Sequence, residues 1–93
     1  MRELSIDDFV PRRGKPVEVD TTLGPIPLLL AKVQPLPSSG RAAGSFRLEL
    51  HGPLQPFLPQ GTYAFLLGKE RCPIFMVPLG PTGPAMRYEA LFL

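Results

Sequence analysis

The chain carries a single cysteine, Cys72, so it cannot close an internal disulfide. The fold must stand without staples, and an intracellular, cytoplasmic address is the default expectation. It also has a single histidine, His51. With one residue of each kind, a structural zinc site would have to borrow carboxylates from distant turns. Asp7 and Asp8 form an acidic pair, but without the alternate-residue oxygens of a calcium loop. They read instead as favourable charge near a helix N-terminus. Neither GxGxxG nor GxxxxGK[ST] occurs, and the glycines fall where turns are needed. No metal or other cofactor is expected.

Long apolar runs are missing as well. The longest, from Pro25 to Ala31, is far short of the roughly 20 residues of a membrane helix. The N-terminus MRELSIDDFV is acidic and has no apolar core of a secretory signal. No membrane partner is expected. Charge of one sign is scarce too, the formal net charge being +2, with Arg12, Arg13 and Lys15 the one local basic group. That argues against a nucleic-acid footprint, which needs a denser stripe with interleaved aromatics.

What the chain does have is 44% hydrophobic residues, 13 prolines and 9 glycines in 93 residues. The prolines and glycines follow no period, which suits one domain (1–93) of many short elements separated by sharp turns. Leu4, Ile6 and Phe9 fit one turn of helix, with Ser5 and Asp8 at capping-box spacing. Pro11 and Gly14 are expected to stop it, leaving a lid or lead-in segment. Pro16–Asp20 alternates as a strand, Thr21–Gly24 turns, and a second strand runs from Ile26 to about Gln34. Pro25 and Pro27 lie two apart, so both strip donors from one edge, which no strand can pair there. Residues 28–33 are apolar on both faces and call for cover on both sides.

Pro35–Gly44 is a breaker-rich loop, expected to be the most mobile part. Ser45–His51 alternates most cleanly, with Phe46, Leu48 and Leu50 on a core face and Arg47, Glu49 and His51 on a wet one. Gly52–Gly61 reads as an ordered loop that packs Leu54, Phe57 and Leu58 against a barrel end. Two more strands, Thr62–Leu67 and Pro73–Leu79, are joined by a hairpin through Gly68–Cys72, and Gly80–Pro84 turns into a last strand ending at Leu93. There Tyr88, Ala90 and Phe92 share one face, and Glu89 opposite is placed to pair with Arg47 or Arg87. Six short strands without a long helix predict an all-β fold, a small antiparallel barrel or sandwich.

Nucleophilic catalysis needs an activated nucleophile, a base in reach and a group that orients the base. Only Cys72 and His51 could supply the first two. His51 falls on a wet face, and Cys72 behaves as a small hydrophobe unless Arg71 activates it in solvent. The chain is not expected to be an enzyme.

From Ser45 onward the sequence resembles a small family of bacterial domains, about 100 residues long and of unknown function. The resemblance lies in Ser45-Phe46-x-Leu48, Leu58-Pro59-Gln60-Gly61-Thr62-Tyr63, Phe75-x-Val77-Pro78-Leu79-Gly80 and Tyr88-Glu89-Ala90-x-Phe92. The N-terminal half fits more loosely, through Phe9, Gly14 and Leu28–Leu30. Leu93 departs from the pattern, in which a polar residue often follows the phenylalanine. The resemblance implies no reaction and no cofactor. It implies an accessory protein, with some members beside tail-fibre or collar-like proteins, and hence incorporation into a virion-like or extracellular assembly.

Two function classes follow. The first is a non-catalytic structural or protein-interaction module, a homo-oligomer or part of a larger assembly. Its candidate interface residues are Leu66, Leu79, Leu91 and Leu93, because strands 28–33, 62–67 and 73–79 are apolar on both faces. The second is a ligand-binding barrel for an oligosaccharide or oligonucleotide. It needs exposed aromatics beside basic residues, and the eight aromatics fall mainly on predicted core faces.

Overall fold

A computed structural model describes residues 3–37 and 44–93. Six strands form one closed antiparallel barrel: β1 Pro16–Thr21, β2 Gly24–Pro35, β3 Phe46–Pro53, β4 Gly61–Leu67, β5 Glu70–Thr82 and β6 Ala85–Phe92. The strand order is β1-β2-β3-β6-β5-β4, and β4 closes on β1 through Glu18 opposite Leu66 and Asp20 opposite Ala64. The choice between barrel and sandwich is thereby decided for the barrel.

Alternation builds the wall as the sequence predicts. Val17 and Val19, Ile26, Leu28 and Leu30, Phe46, Leu48 and Leu50, Phe65 and Leu67, Cys72, Ile74 and Met76, and Tyr88 and Ala90 all point inward and are buried. They fill the interior. Tyr88 also accepts a hydrogen bond at its hydroxyl from the Leu58 backbone N–H, at 3.0 Å. This bond pins the 54–58 loop to the wall, and Leu58 is buried while Leu54 and Phe57 stay exposed. The packing expected of that loop holds for one of its three apolar residues.

The proline edge behaves as predicted. Leu30 exchanges backbone hydrogen bonds with Gly14 and Lys15, so even-numbered N–H groups of β2 point toward β1. Pro25 and Pro27 therefore lack donors on the opposite side, where β3 first pairs at Leu29. Their missing donors fall where no strand needs them.

Strand lengths differ from expectation because bulges extend two of the strands. Ala31 is an extra residue between the Leu30–Leu50 and Lys32–Glu49 pairs. Leu79 is another, between Pro78–Tyr88 and Gly80–Arg87, so β5 runs on to Thr82. A bulge shifts which side chains face inward. Residues 28–33 thus look apolar on both faces, yet Leu28, Leu30 and Val33 go to the core side and Leu29 is left exposed. Cover on both sides is not needed. The hairpin after β4 is also tighter than predicted: Leu67 pairs with Glu70 around Gly68 and Lys69, with Gly68 at φ 65°.

The N-terminal segment makes two 3-10 turns, Ile6–Asp8 and Val10–Arg12. Asp8 accepts a hydrogen bond from the Ser5 backbone N–H at 2.8 Å, as the capping spacing predicts. Pro11 does not end the helical stretch but sits inside the second turn, at a first-turn position where its absent N–H has no intrahelical partner to lose. The segment is a lid over one barrel end: Phe9 is buried against Phe46 and Phe92, with ring centroids 5.7 Å from each. Of the loop expected to be mobile, 38–43 lies outside the described residues; at its neck Leu36 N–H donates to the Ser45 carbonyl at 2.9 Å.

Candidate functional site

The inward side chains are buried, so the groups open to solvent lie mainly on the outer face. Three regions of it stand out, the second and third adjoining at Ala64.

The first is a charged network across β2, β3 and β6. Register places Lys32 and Glu89 on either side of Glu49, and His51 opposite Arg87. Glu49 accepts from Arg47 at 3.4 Å and bonds His51 Nε2 at 2.8 Å, with Arg87 at 4.0 Å. Arg47 Nε also donates to Glu89 at 2.8 Å, the cross-strand pairing expected of Glu89. Glu49 is correspondingly buried, at 5% exposure. The wet face predicted for Arg47, Glu49 and His51 is therefore wet only at its rim. No signal within β3 itself could show this, because the groups that cover Glu49 come from neighbouring strands as well.

The hydrogen bond from His51 is the main influence holding the Glu49 carboxyl below its ordinary range; Arg47, Lys32 and Arg87 add to it, and burial opposes it. A depressed carboxyl contributes stability above its unfolded pKa, about 4.3, and loses it as pH falls through the lower folded value. Glu49→Gln keeps the shape but cannot titrate. Its urea-unfolding midpoint should fall less than that of the wild type between about pH 7 and about pH 3.5. Parallel pH profiles would remove Glu49 from the acid response.

His51 and Cys72 do not meet. His51 lies on the outer wall, and Cys72 is buried on the inner one, opposite Phe65. Arg71, the group that could have activated the thiol, instead pairs with Asp20 at 2.8 Å on the outside.

The second region is apolar. On the outer face of β5, Pro73, Phe75 and Val77 follow one another, flanked by Ala64 and Leu66 on β4 and by Leu91 on β6. Phe75 is 53% exposed, Leu91 49% and Leu93 73%. Val77 pairs with Glu89, so Phe75 and Leu91 each lie two residues further along their strands on the same face. Of the predicted interface residues, the structure brings Leu91 to this patch, and Leu93 follows it, exposed, just past the end of β6. Leu66 is half-buried at its far side between Glu18 and Arg71, and Leu79 projects from the bulge at the other end of β5. The lid leaves Leu91 and Leu93 uncovered. Phe75 was missed as an exposed aromatic, and the signal was its parity: Cys72, Ile74 and Met76 form the inward row that puts Phe75 outside.

The third region is a shallow cleft of about 380 Å³ beside the β1–β2 turn, lined by Asp20, Thr22, Thr62, Tyr63, Ala64 and Arg71 among others. Tyr63 donates its hydroxyl to the Pro59 carbonyl, and burial pushes its pKa up. It is a fixed wall. Among the described residues no group of three or more His, Cys, Asp or Glu side chains could hold a metal ion, and no helix is long and apolar enough to cross a membrane.

Residues 4–92 match the family described as Domain of unknown function (DUF6916), and the chain belongs to that family. No curated protein and no solved structure shows detectable similarity to the chain.

Proposed function

We propose that the barrel is a non-catalytic structural or protein-interaction module, assembling with itself or within a larger bacterial or phage-tail-like structure. The observation that carries this reading is the patch of Phe75, Val77 and Leu91 on the outer wall of β5 and β6, with Leu93 exposed just beyond it. Scattered exposed apolar residues are ordinary on a protein surface; a contiguous patch bordered by charge is the mark of an interface. The border here is the Arg47–Glu89 pair on one side and the Arg71–Asp20 pair on the other. The separation of Cys72 from His51 by the barrel wall favours a module without nucleophilic catalysis. The filled interior favours recognition from outside.

The test replaces Leu91 and Leu93 together with serine. Both are exposed, so the melting temperature should stay close to that of the wild type. Wild-type protein should sediment above its monomer mass of 10.2 kDa, and the double variant at that mass. A wild type that remains monomeric at high concentration would overturn self-association and direct the search to a foreign partner.

A further inference from the structure

We propose that the cleft between β1 and β4 is a binding site for a neutral hexopyranose, either free or as the end of a glycan. The cleft adjoins the Leu91–Leu93 surface, with Phe75 on the border of both, so the proposal rests on Phe75 staying open to solvent whether or not that surface is an interface.

The cleft owes its existence to Ala64, a small side chain on the outer face of β4 between Asp20 on β1 and Pro73 on β5. Its volume of about 380 Å³ sits at the lower end of ligand clefts, roughly 300–1,000 Å³, which suits a small ligand. The polar groups offer both donors and acceptors. Arg71 Nη1 meets Asp20 Oδ2 at 2.8 Å, and both side chains remain open to solvent. A carboxylate has about four acceptor sites and a guanidinium five donors, so one contact leaves spare acceptors and donors side by side. Vicinal hydroxyls, each a donor and an acceptor, match that arrangement. Thr22 and Thr62 are exposed on the lining and add two more hydroxyl groups. Thr21 is occupied, since its hydroxyl donates to the Gly24 carbonyl and accepts from the Leu23 N–H.

Phe75 lies outside the lining itself, at the rim of the site beside Thr62. It stands directly opposite Thr62 in the β4–β5 ladder, and such facing residues have Cβ atoms about 5 Å apart. Its half-exposed ring thus borders the polar lining and can stack on the apolar C–H face of a sugar ring. Charge selects against the alternatives. Asp20 neutralises Arg71, and Glu18 on the same face of β1 adds a negative charge. Phosphates and nucleic acids need unpaired cations and would be repelled; an uncharged polyol would not be.

The experiment is a two-dimensional NMR titration of the full chain. The probes are D-glucose, D-galactose, D-mannose and N-acetyl-D-glucosamine, with inorganic phosphate and a thymidine oligonucleotide as charged comparators. At least one sugar should shift the amide resonances of Thr22, Thr62, Ala64 and Arg71 at millimolar concentration. Asp20→Asn and Phe75→Ala should each weaken that binding about tenfold or more, as when a polar group or a stacking face loses its partner. The Leu91→Ser, Leu93→Ser variant, in which Phe75 is uncovered whether or not the wild type self-associates, should bind the sugar at least as tightly as the wild type. No response to any of the four sugars would overturn the proposal. So would shifts that lie outside the cleft, shifts indifferent to both cleft substitutions, or a cleft response to phosphate or the oligonucleotide instead.

Discussion

Phe46→Ala should lower the stability of the domain by about 3–5 kcal/mol, the usual cost of deleting a buried phenylalanine. Small domains have a net stability of about 5–15 kcal/mol, so this is a large fraction of the whole. Phe46 is buried and stacks on Phe92, with ring centroids 4.4 Å apart and planes within 9°. Phe9 tilts against both rings. Removing the Phe46 ring therefore strips the N-terminal lid and the last strand of a shared contact surface, and the hole lies under three separate segments. Rigid strands on two sides limit how far it can collapse. The neighbouring Arg47→Ala gives the comparison. By alternation alone it should cost little, but Arg47 holds both Glu89 and the buried Glu49. We expect about 1–2 kcal/mol, from partly buried carboxylates left with fewer partners. Urea denaturation of the two variants measures both. If Arg47→Ala proved the costlier, the charged network would outweigh the aromatic cap in holding β3 to β6.

The contrast between these neighbours shows what a single strand reveals. Phe46, Leu48 and Leu50 announce the core face of β3 by alternation, and Pro25 and Pro27 announce an unpaired edge by chemistry. Both signals are local, and both match the structure. Glu89 and Arg47 were also legible as partners, because opposite charges on outer faces seek each other across strands. The burial of Glu49 was not legible, since it depends on His51 and Arg47 beside it and on Lys32 and Arg87 from two other strands. Nor were the bulges at Ala31 and Leu79, where one residue outside the ladder reverses the inside–outside pattern. Phe75 illustrates a bias rather than missing information. Aromatics are expected inside, yet the parity of Ile74 and Met76 had already placed it outside. The cleft could not be seen at all, for Asp20, Ala64 and Arg71 meet only when β4 closes the barrel on β1.

Gly52→Ala should cost about 1–3 kcal/mol, the range for forcing an extra carbon into a filled core. Gly52 follows Phe46, Leu48 and Leu50 on the inward row of β3, and it pairs with Met86. A Cβ there would collide with Leu28 Cδ2 and lie 3.5 Å from Tyr88 Cε2. The requirement is one of space, not of backbone conformation, because Gly52 does not adopt a positive φ. The end of a leucine side chain can usually move aside. Leu28 cannot do so freely: it is fully buried, and Tyr88 behind it is tied through its hydroxyl to Leu58. Either Leu28 leaves its preferred rotamer or β3 shifts against β6. Gly83 serves as a control, since it has open space around the added carbon but a φ of 56°. Gly83→Ala should therefore destabilise through backbone strain alone, independently of Leu28. The discriminating measurement is a double-mutant cycle with Leu28→Val, which removes a methyl group at the point of collision. Leu28→Val should be less harmful in the Gly52→Ala background than in the wild type, giving a favourable coupling of about 0.5 kcal/mol or more. The same cycle built on Gly83→Ala should be additive. Additivity at both glycines would mean that β3 yields to the new carbon and that Leu28 does not set the spacing of the wall.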